Sequence, residues 1–282
     1  MDERAVLRDR GDAASGPGDA TASPALPWWS RRDDGPLILA VDSSSRSGSL
    51  AIVQGHAVIA EAAWTARGPG GSLHLDLASR LMADHGREFR DLDGIAVATG
   101  PGSFTGIRAG LSLAQGLAEA LAIPLVGVPT LEALSAQLAP HARADTLTCA
   151  VVAAGRGQVH ARVAMVGDGI GIACGTAATA SVEEVATALA IIAGAARRPV
   201  LIGGELLAQD ARAIFEVILW ATILPPAAAQ RRAAWVADLA LAEVDRLRAD
   251  PWASRFPEDV QPLYLVSPAG PRPADLGWHL PG

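Results

Sequence analysis

The segment Gly100-Pro101-Gly102-Ser103-Phe104-Thr105-Gly106 constrains this chain more than any other. It stands between a short apolar run, Gly94 to Thr99, and a long helical pattern, Thr105 to Leu121. The run reads as a strand buried on both faces. Strand, glycine turn and helix together make a joint of an α/β fold. Such a joint has two uses, and the local residues leave both open. Glycines let a helix approach its strand closely, and backbone N–H groups at a helix start can hold an anion. The spacing is not a Walker loop, because no Lys follows the last glycine, and it is not the dinucleotide G-x-G-x-x-G. The joint therefore reads first as a close-packing turn, with Gly102 and Ser103 kept as members of a candidate anion or nucleotide loop.

The helix that follows has an unusual surface. Arg108, Ser112, Gln115 and Glu119 fall on one narrow polar stripe at 3.6 residues per turn, and nearly every other position is apolar or small. A helix this apolar needs cover on more than one side. Ser72 to His85 reads as a second helix, with ridges Leu73, Leu77, Leu81 and Leu75, Ala78, Met82. Two helices with surplus apolar face point either to an intramolecular core or to a protein interface. For the second use the candidate contact residues are Leu73, His74, Leu77, Leu81, Ile107, Arg108, Leu111 and Gln115.

The ordered body begins at Leu37, where Leu37-Ile38-Leu39-Ala40-Val41 reads as another buried strand. Strands at Ser49 to Val53 and Ala57 to Trp64, a strand at Leu125 to Val128 and a helix at Leu131 to Leu138 complete the order β-β-β-α-β-α-β-α. The second half repeats it more weakly. Its expected strands are Thr146 to Val152, Gln158 to Val166, Ile170 to Cys174 and Pro199 to Ile202. Its expected helices are Val182 to Ile192, Leu206 to Phe215 and Arg231 to Arg248. The division is a flexible tail over residues 1–36, a first lobe over 37–140, and a second lobe over 145–282 whose last helix packs back on the first. Asp42-Ser43-Ser44 closes the first strand. It reads either as a turn bonded to its own backbone or as a phosphate loop with Asp42 near a hydrated Mg²⁺.

Composition narrows the function classes. The formal charge is −7, against a dedicated nucleic-acid binder. All 23 basic residues are Arg, which reads as coding bias. Two cysteines, Cys149 and Cys174, are too few for a disulfide framework or a zinc site, and they suit a reducing compartment. No apolar run reaches the roughly 18 residues of a membrane span. The N-terminus lacks the apolar stretch of a signal peptide. These features point to a soluble, cytoplasmic protein. His74 lacks a ligand partner at i+3 or i+4, and no G-x-S-x-G elbow places a nucleophile. No catalytic or metal-ligating residue is assigned.

Several of these segments together resemble the TsaB family. They are Ile38 to Ser44, Ser72-Leu73-His74-Leu75, Asp91 to Val97, Gly100 to Gly110, and Ile123 to Leu134. The resemblance is specific over about residues 37 to 138. It weakens in the second half. There the family's Asp-Ala-Arg-Arg-x-Glu-Val stands as Ala153-Ala154-Gly155-Arg156-Gly157-Gln158-Val159. Its closing Pro-x-Tyr-Leu-Arg stands as Pro262-Leu263-Tyr264-Leu265-Val266. The resemblance implies an actin-like (ASKHA) fold of two RNase H-like lobes, with mixed sheets and helices on their faces. It implies a non-catalytic partner subunit that pairs through its first-lobe helices with the homologous subunit TsaD, with a TsaE-type ATPase joining the pair. TsaD would hold the metal and transfer the threonylcarbamoyl group to the tRNA adenosine beside the anticodon, so that tRNA is met indirectly. It further implies no tightly held cofactor, with the complex interface as the place open to ATP or ADP and Mg²⁺, and it leaves open whether the chain alone is a homodimer. The competing reading is an actin-like phosphotransferase binding ATP at Asp42.

Overall fold

β1 (Leu37–Asp42) sends alternate side chains into two different cores, which is why its sequence is apolar without interruption. The computed structural model describes residues 35–65, 71–167, 170–194, 197–249, 259–265 and 276–281, with the side chains of 71–73 left aside. The tail expected over 1–36, with Trp28 and Trp29, lies outside the described residues except for Gly35 and Pro36. So does Val266.

The first sheet adds β2 (Ser47–Gln54), β3 (Ala57–Thr65), β4 (Gly94–Ala98) and β5 (Leu125–Val128) in the order β3-β2-β1-β4-β5. β1 pairs antiparallel with β2 and parallel with β4. Leu37, Leu39 and Val41 face α1 (Gly71–Asp84) and α2 (Phe104–Leu121). Ile38 and Ala40 face the opposite way.

The second sheet repeats the pattern. β6 (Leu147–Gly155), β7 (Gln158–Gly167), β8 (Ile170–Ala173), β10 (Val200–Gly204) and β11 (Ala221–Ile223) run in the order β11-β10-β6-β7-β8, and β9 (Ala178–Ser181) pairs with β7. α4 (Val182–Ala193) and α5 (Ala208–Val217) cover its outer face. Two mixed sheets of the same strand order, each with helices on both faces, form the expected actin-like pair of RNase H-like lobes. β9, β11 and the one-turn α6 (Pro226–Ala229) have no counterpart in the sequence reading. Each is three or four residues long and too short to establish a period.

The lobes exchange their inner helices. α3 (Thr130–Leu138) follows the first lobe, yet Leu131, Leu134 and Leu138 pack on Ala150 and Val152 of the second sheet. α7 (Ala233–Ala249) follows the second lobe, yet Ala233, Val236, Ala237, Ala240 and Val244 pack on Ile38, Ala40, Ala51 and Ala96 of the first. α3 and α7 also touch each other. Gly94 and Gly203 lie so close to Val244 and Leu138 that a Cβ at either would overlap them. Small residues on the sheets thus let the exchanged helices seat.

Candidate functional site

The glycine joint packs on the loop that ends β1. A Cβ on Gly102 would overlap the Ser44 carbonyl, one on Gly106 the Ser43 carbonyl, and one on Gly110 the Ser43 hydroxyl. The Ser103 N–H donates to the Ser44 carbonyl at 2.6 Å. The Ser103 hydroxyl caps α2 by accepting from the Gly106 N–H at 3.3 Å, and the Ser43 hydroxyl donates to the Gly106 carbonyl at 2.8 Å. The close-packing use of the glycines therefore prevails. Carbonyl and hydroxyl oxygens of Ser43 and Ser44 lie against the start of α2, where an anion would have to sit. Ser43, Ser44, Gly102 and Ser103 thus lie together in a close-packed joint.

The Asp42 carboxylate, in turn, is paired with an internal cation. Arg231 Nε donates to Asp42 Oδ2 at 2.7 Å, and both side chains are almost wholly buried. The Ser44 hydroxyl and N–H donate to Asp42 Oδ1 at 2.6 and 2.9 Å. Burial alone would raise the Asp42 carboxyl, but the Arg231 charge and the hydrogen bonds from Arg231 and Ser44 outweigh it and lower it. Burial likewise works against the Arg231 charge, while Asp42 and Glu205 overcompensate and hold the guanidinium above its ordinary value. Glu205 follows β10 and accepts from Arg231 Nη1 at 2.6 Å. Arg231 Nη2 donates to the Ser45 hydroxyl at 2.9 Å and the Ser47 carbonyl at 2.6 Å. Neither Arg231 nor Glu205 was singled out in the sequence, since Asp42 and Arg231 are 189 residues apart. Beside them opens a cleft of about 650 Å³ between the lobes, lined by Arg46, Gln158, Glu205, Gln209, Asp210 and Gln230 among others.

The helix pair α1 and α2 holds the expected contact residues, in three different situations. Ile107 and Leu111 are 0% and 6% exposed, covered by the chain's own core. Buried within the chain, they offer little surface to a partner. His74 is also buried, its ring 4.9 Å from that of Trp64, with Nδ1 unpaired among the described residues. Burial lowers its pKa. Leu77 and Leu81 are half-buried, as are Leu113 and Leu117 of α2, and Leu75 is exposed. The side chain of Leu73 lies outside the described residues. Arg108 and Gln115 reach a C-terminal strap over 259–265. Arg108 Nε donates to the Tyr264 hydroxyl at 3.3 Å, and Gln115 Nε2 donates to the Val260 carbonyl at 3.2 Å. Phe104 stacks on Tyr264 at 5.6 Å, with the Arg108 guanidinium 3.9 Å over its ring. The solvent-facing apolar surface of the pair is thus carried by Leu75, Leu77, Leu81, Leu113 and Leu117, with Phe104 at its end.

No group of three or more His, Cys, Asp or Glu side chains among the described residues is placed to hold a metal ion. No helix among them is long and apolar enough to cross a membrane.

Comparison with known proteins adds to this geometry. Residues 73–197 match the family described as "TsaD: tRNA N6-adenosine threonylcarbamoyltransferase". A Bacillus subtilis relative, "tRNA threonylcarbamoyladenosine biosynthesis protein TsaB", is 36% identical over 123 residues, 44% of this chain and 52% of that protein. Its Escherichia coli counterpart of the same name is 32% identical over 128 residues, again 44% and 52%. TsaB proteins are among the chain's relatives. The chain spans about half the length of those it matches. YeaZ from Pseudomonas aeruginosa shares the fold, with a TM-score of 0.60 and 22% identity over 82% of this chain and all of that one. The TsaB resemblance read from the glycine joint and its neighbours holds.

Proposed function

We propose that this chain is a non-catalytic partner subunit that pairs with a TsaD-type transferase in the complex that makes threonylcarbamoyladenosine in tRNA. The similarity to TsaB proteins carries this reading. A second observation supports it. The stretch that resembles the transferase family, 73–197, contains α2 and nearly all of α1. Homologous helix pairs present like surfaces, and like surfaces suit the two-fold pairing common in protein assemblies. On this reading a TsaE-type ATPase joins the pair, tRNA is met through the transferase, and ATP or ADP and Mg²⁺ belong to the complex interface. The work is cytoplasmic, and the chain alone forms a homodimer through the same face.

Co-expression with the TsaD-type transferase of the same organism, followed by size-exclusion chromatography, tests the pairing. Leu75→Arg puts a charge on the exposed part of α1 and is expected to abolish co-elution while leaving the circular dichroism spectrum unchanged. Leu111→Arg is the wrong probe, because it would place the charge in the core. Separate elution of the wild-type chains at micromolar concentration, with tRNA and nucleotide added, would overturn the proposal. The phosphotransferase reading is not favoured: Arg231 holds the carboxylate that it needs free for a metal-bound phosphate. Binding of ATP·Mg²⁺ to the isolated chain in calorimetry would revive it.

A further inference from the structure

We infer that Arg231 and Glu205 form a latch across the mouth of the interlobe cleft, holding the lobes at one fixed angle without any ligand. The bonds that matter cross from one lobe to the other. Arg231 precedes α7, which is seated on the first sheet, and its guanidinium is bound to Asp42, Ser45 and Ser47 of that lobe. Glu205 stands at the end of β10 in the second lobe. It accepts from Arg231 Nη1 at 2.6 Å and from the Ser45 hydroxyl, while its other oxygen accepts from the Ala153 N–H at 3.3 Å. One carboxylate is therefore gripped by three groups, two of them from across the cleft.

The hinge and the latch lie in different places. The exchanged helices α3 and α7 join the lobes at their inner faces and leave relative rotation as the soft coordinate. The latch lies at the ends of β1 and β10, where rotation would part the lobes. Opening would strip Glu205 from a guanidinium only 3% exposed and leave one of its nitrogens unpaired inside protein. Nearby lobe-joining is asymmetric in strength. The Asp42–Arg231 pair is buried within the first lobe and survives opening, whereas the Glu205 side chain is 23% exposed and is the releasable end. Arg231 is thus the fixed jaw and Glu205 the moving one.

Removing the moving jaw tests this. Spin labels at Arg80→Cys on α1 and Glu216→Cys on α5, both exposed, report the distance between the lobes. Cys149 and Cys174 are buried and stay unlabelled. Diluted into an excess of unlabelled chain, so that only distances within one chain are read, the otherwise wild-type chain should give one narrow distance distribution. Glu205→Ala should broaden it or add a longer distance, with unchanged circular dichroism. Glu205→Gln keeps the hydrogen-bonding shape without the charge and should fall between. An unchanged distribution in folded Glu205→Ala would overturn the latch. Loss of folded structure in both variants would also overturn it, since Glu205 would then be part of the core.

Discussion

Arg231→Met should destabilise the protein more than Asp42→Leu, although each removes one half of the same ion pair. In Arg231→Met the Asp42 carboxylate remains, 1% exposed, with only the Ser44 N–H and hydroxyl to serve it. An uncompensated buried charge costs about 3–5 kcal/mol. For a domain of this size that lowers the melting temperature by roughly 6–20 °C, at about 2–4 °C per kcal/mol. In Asp42→Leu the guanidinium still has Glu205, Ser45 and the Ser47 carbonyl, so the loss falls at or below the lower end of that range. Joining the two substitutions leaves Glu205 free to turn to water, and the double variant should be more stable than Arg231→Met alone. Urea unfolding at pH 7 measures all four corners of the cycle. The pH dependence separates the causes. In the wild type the Asp42 pKa is depressed below its ordinary 3.8. Its contribution is therefore present above that value and lost as the pH falls through the lower folded one. In Arg231→Met burial, the largest influence, is opposed only by the Ser44 hydrogen bonds and raises the carboxyl, so the sign reverses: acidification from pH 7 should partly restore stability. A cost below about 1 kcal/mol for Arg231→Met, or a larger cost for Asp42→Leu, would refute the reasoning.

Gly106→Val should lower stability by about 1–3 kcal/mol in urea, because the added atoms meet the Ser43 carbonyl and the backbone must shift. Refolding with unaltered midpoint would show that the joint is slack. Both cysteines should resist iodoacetamide in the native protein, as judged by intact mass, since both are buried and Cys149 is pushed up to about 12 by burial. Labelling without denaturant would contradict that. The His74 pKa is lowered by burial, so folding favours the neutral ring and stability falls as the pH drops below its ordinary 6.5. His74→Phe should shrink that fall without abolishing it, because burial lowers His160 in the same way. An identical pH profile for the variant would remove His74 from the account.

Local patterns announced what depends on neighbours in the chain. β1 is apolar throughout because two cores claim its alternate side chains, and that demand is visible in Leu37 to Val41. The glycines at 100, 102 and 106 announced close approach, though not that Gly102 and Gly106 approach the Ser43-Ser44 loop and Gly100 the Leu263 carbonyl. Helix periodicity showed that α2 is apolar nearly all round, but period alone cannot say which stripe meets the sheet. Ile107 and Leu111 are buried, while Leu113 and Leu117 stay half-buried. Arg231 was invisible for a stronger reason. It sits among Gln230, Arg232 and two alanines, and nothing in that stretch marks a residue destined for a buried site formed by chain on both sides of the first lobe's opening strands.

The same site gives a physical reason for one departure from the TsaB pattern. Where the family carries an aspartate this chain has Ala153, and the Ala153 N–H donates to Glu205. Ala153 and Glu205 both line the cleft. Around Arg231 two carboxylates, Asp42 and Glu205, already share one guanidinium, so the cluster is one charge short of balance. A third carboxylate on the same wall would deepen the deficit, with no second cation bonded to Glu205 among the described residues to answer it. Alanine removes the repulsion and leaves the backbone donor in place. Restoring the family residue by Ala153→Asp should therefore weaken the grip on Glu205. In the spin-label experiment it should widen the interlobe distance distribution at pH 7 and narrow it again as acidification neutralises the added carboxyl. A distribution that stays narrow at pH 7 would mean that this position and the latch are independent.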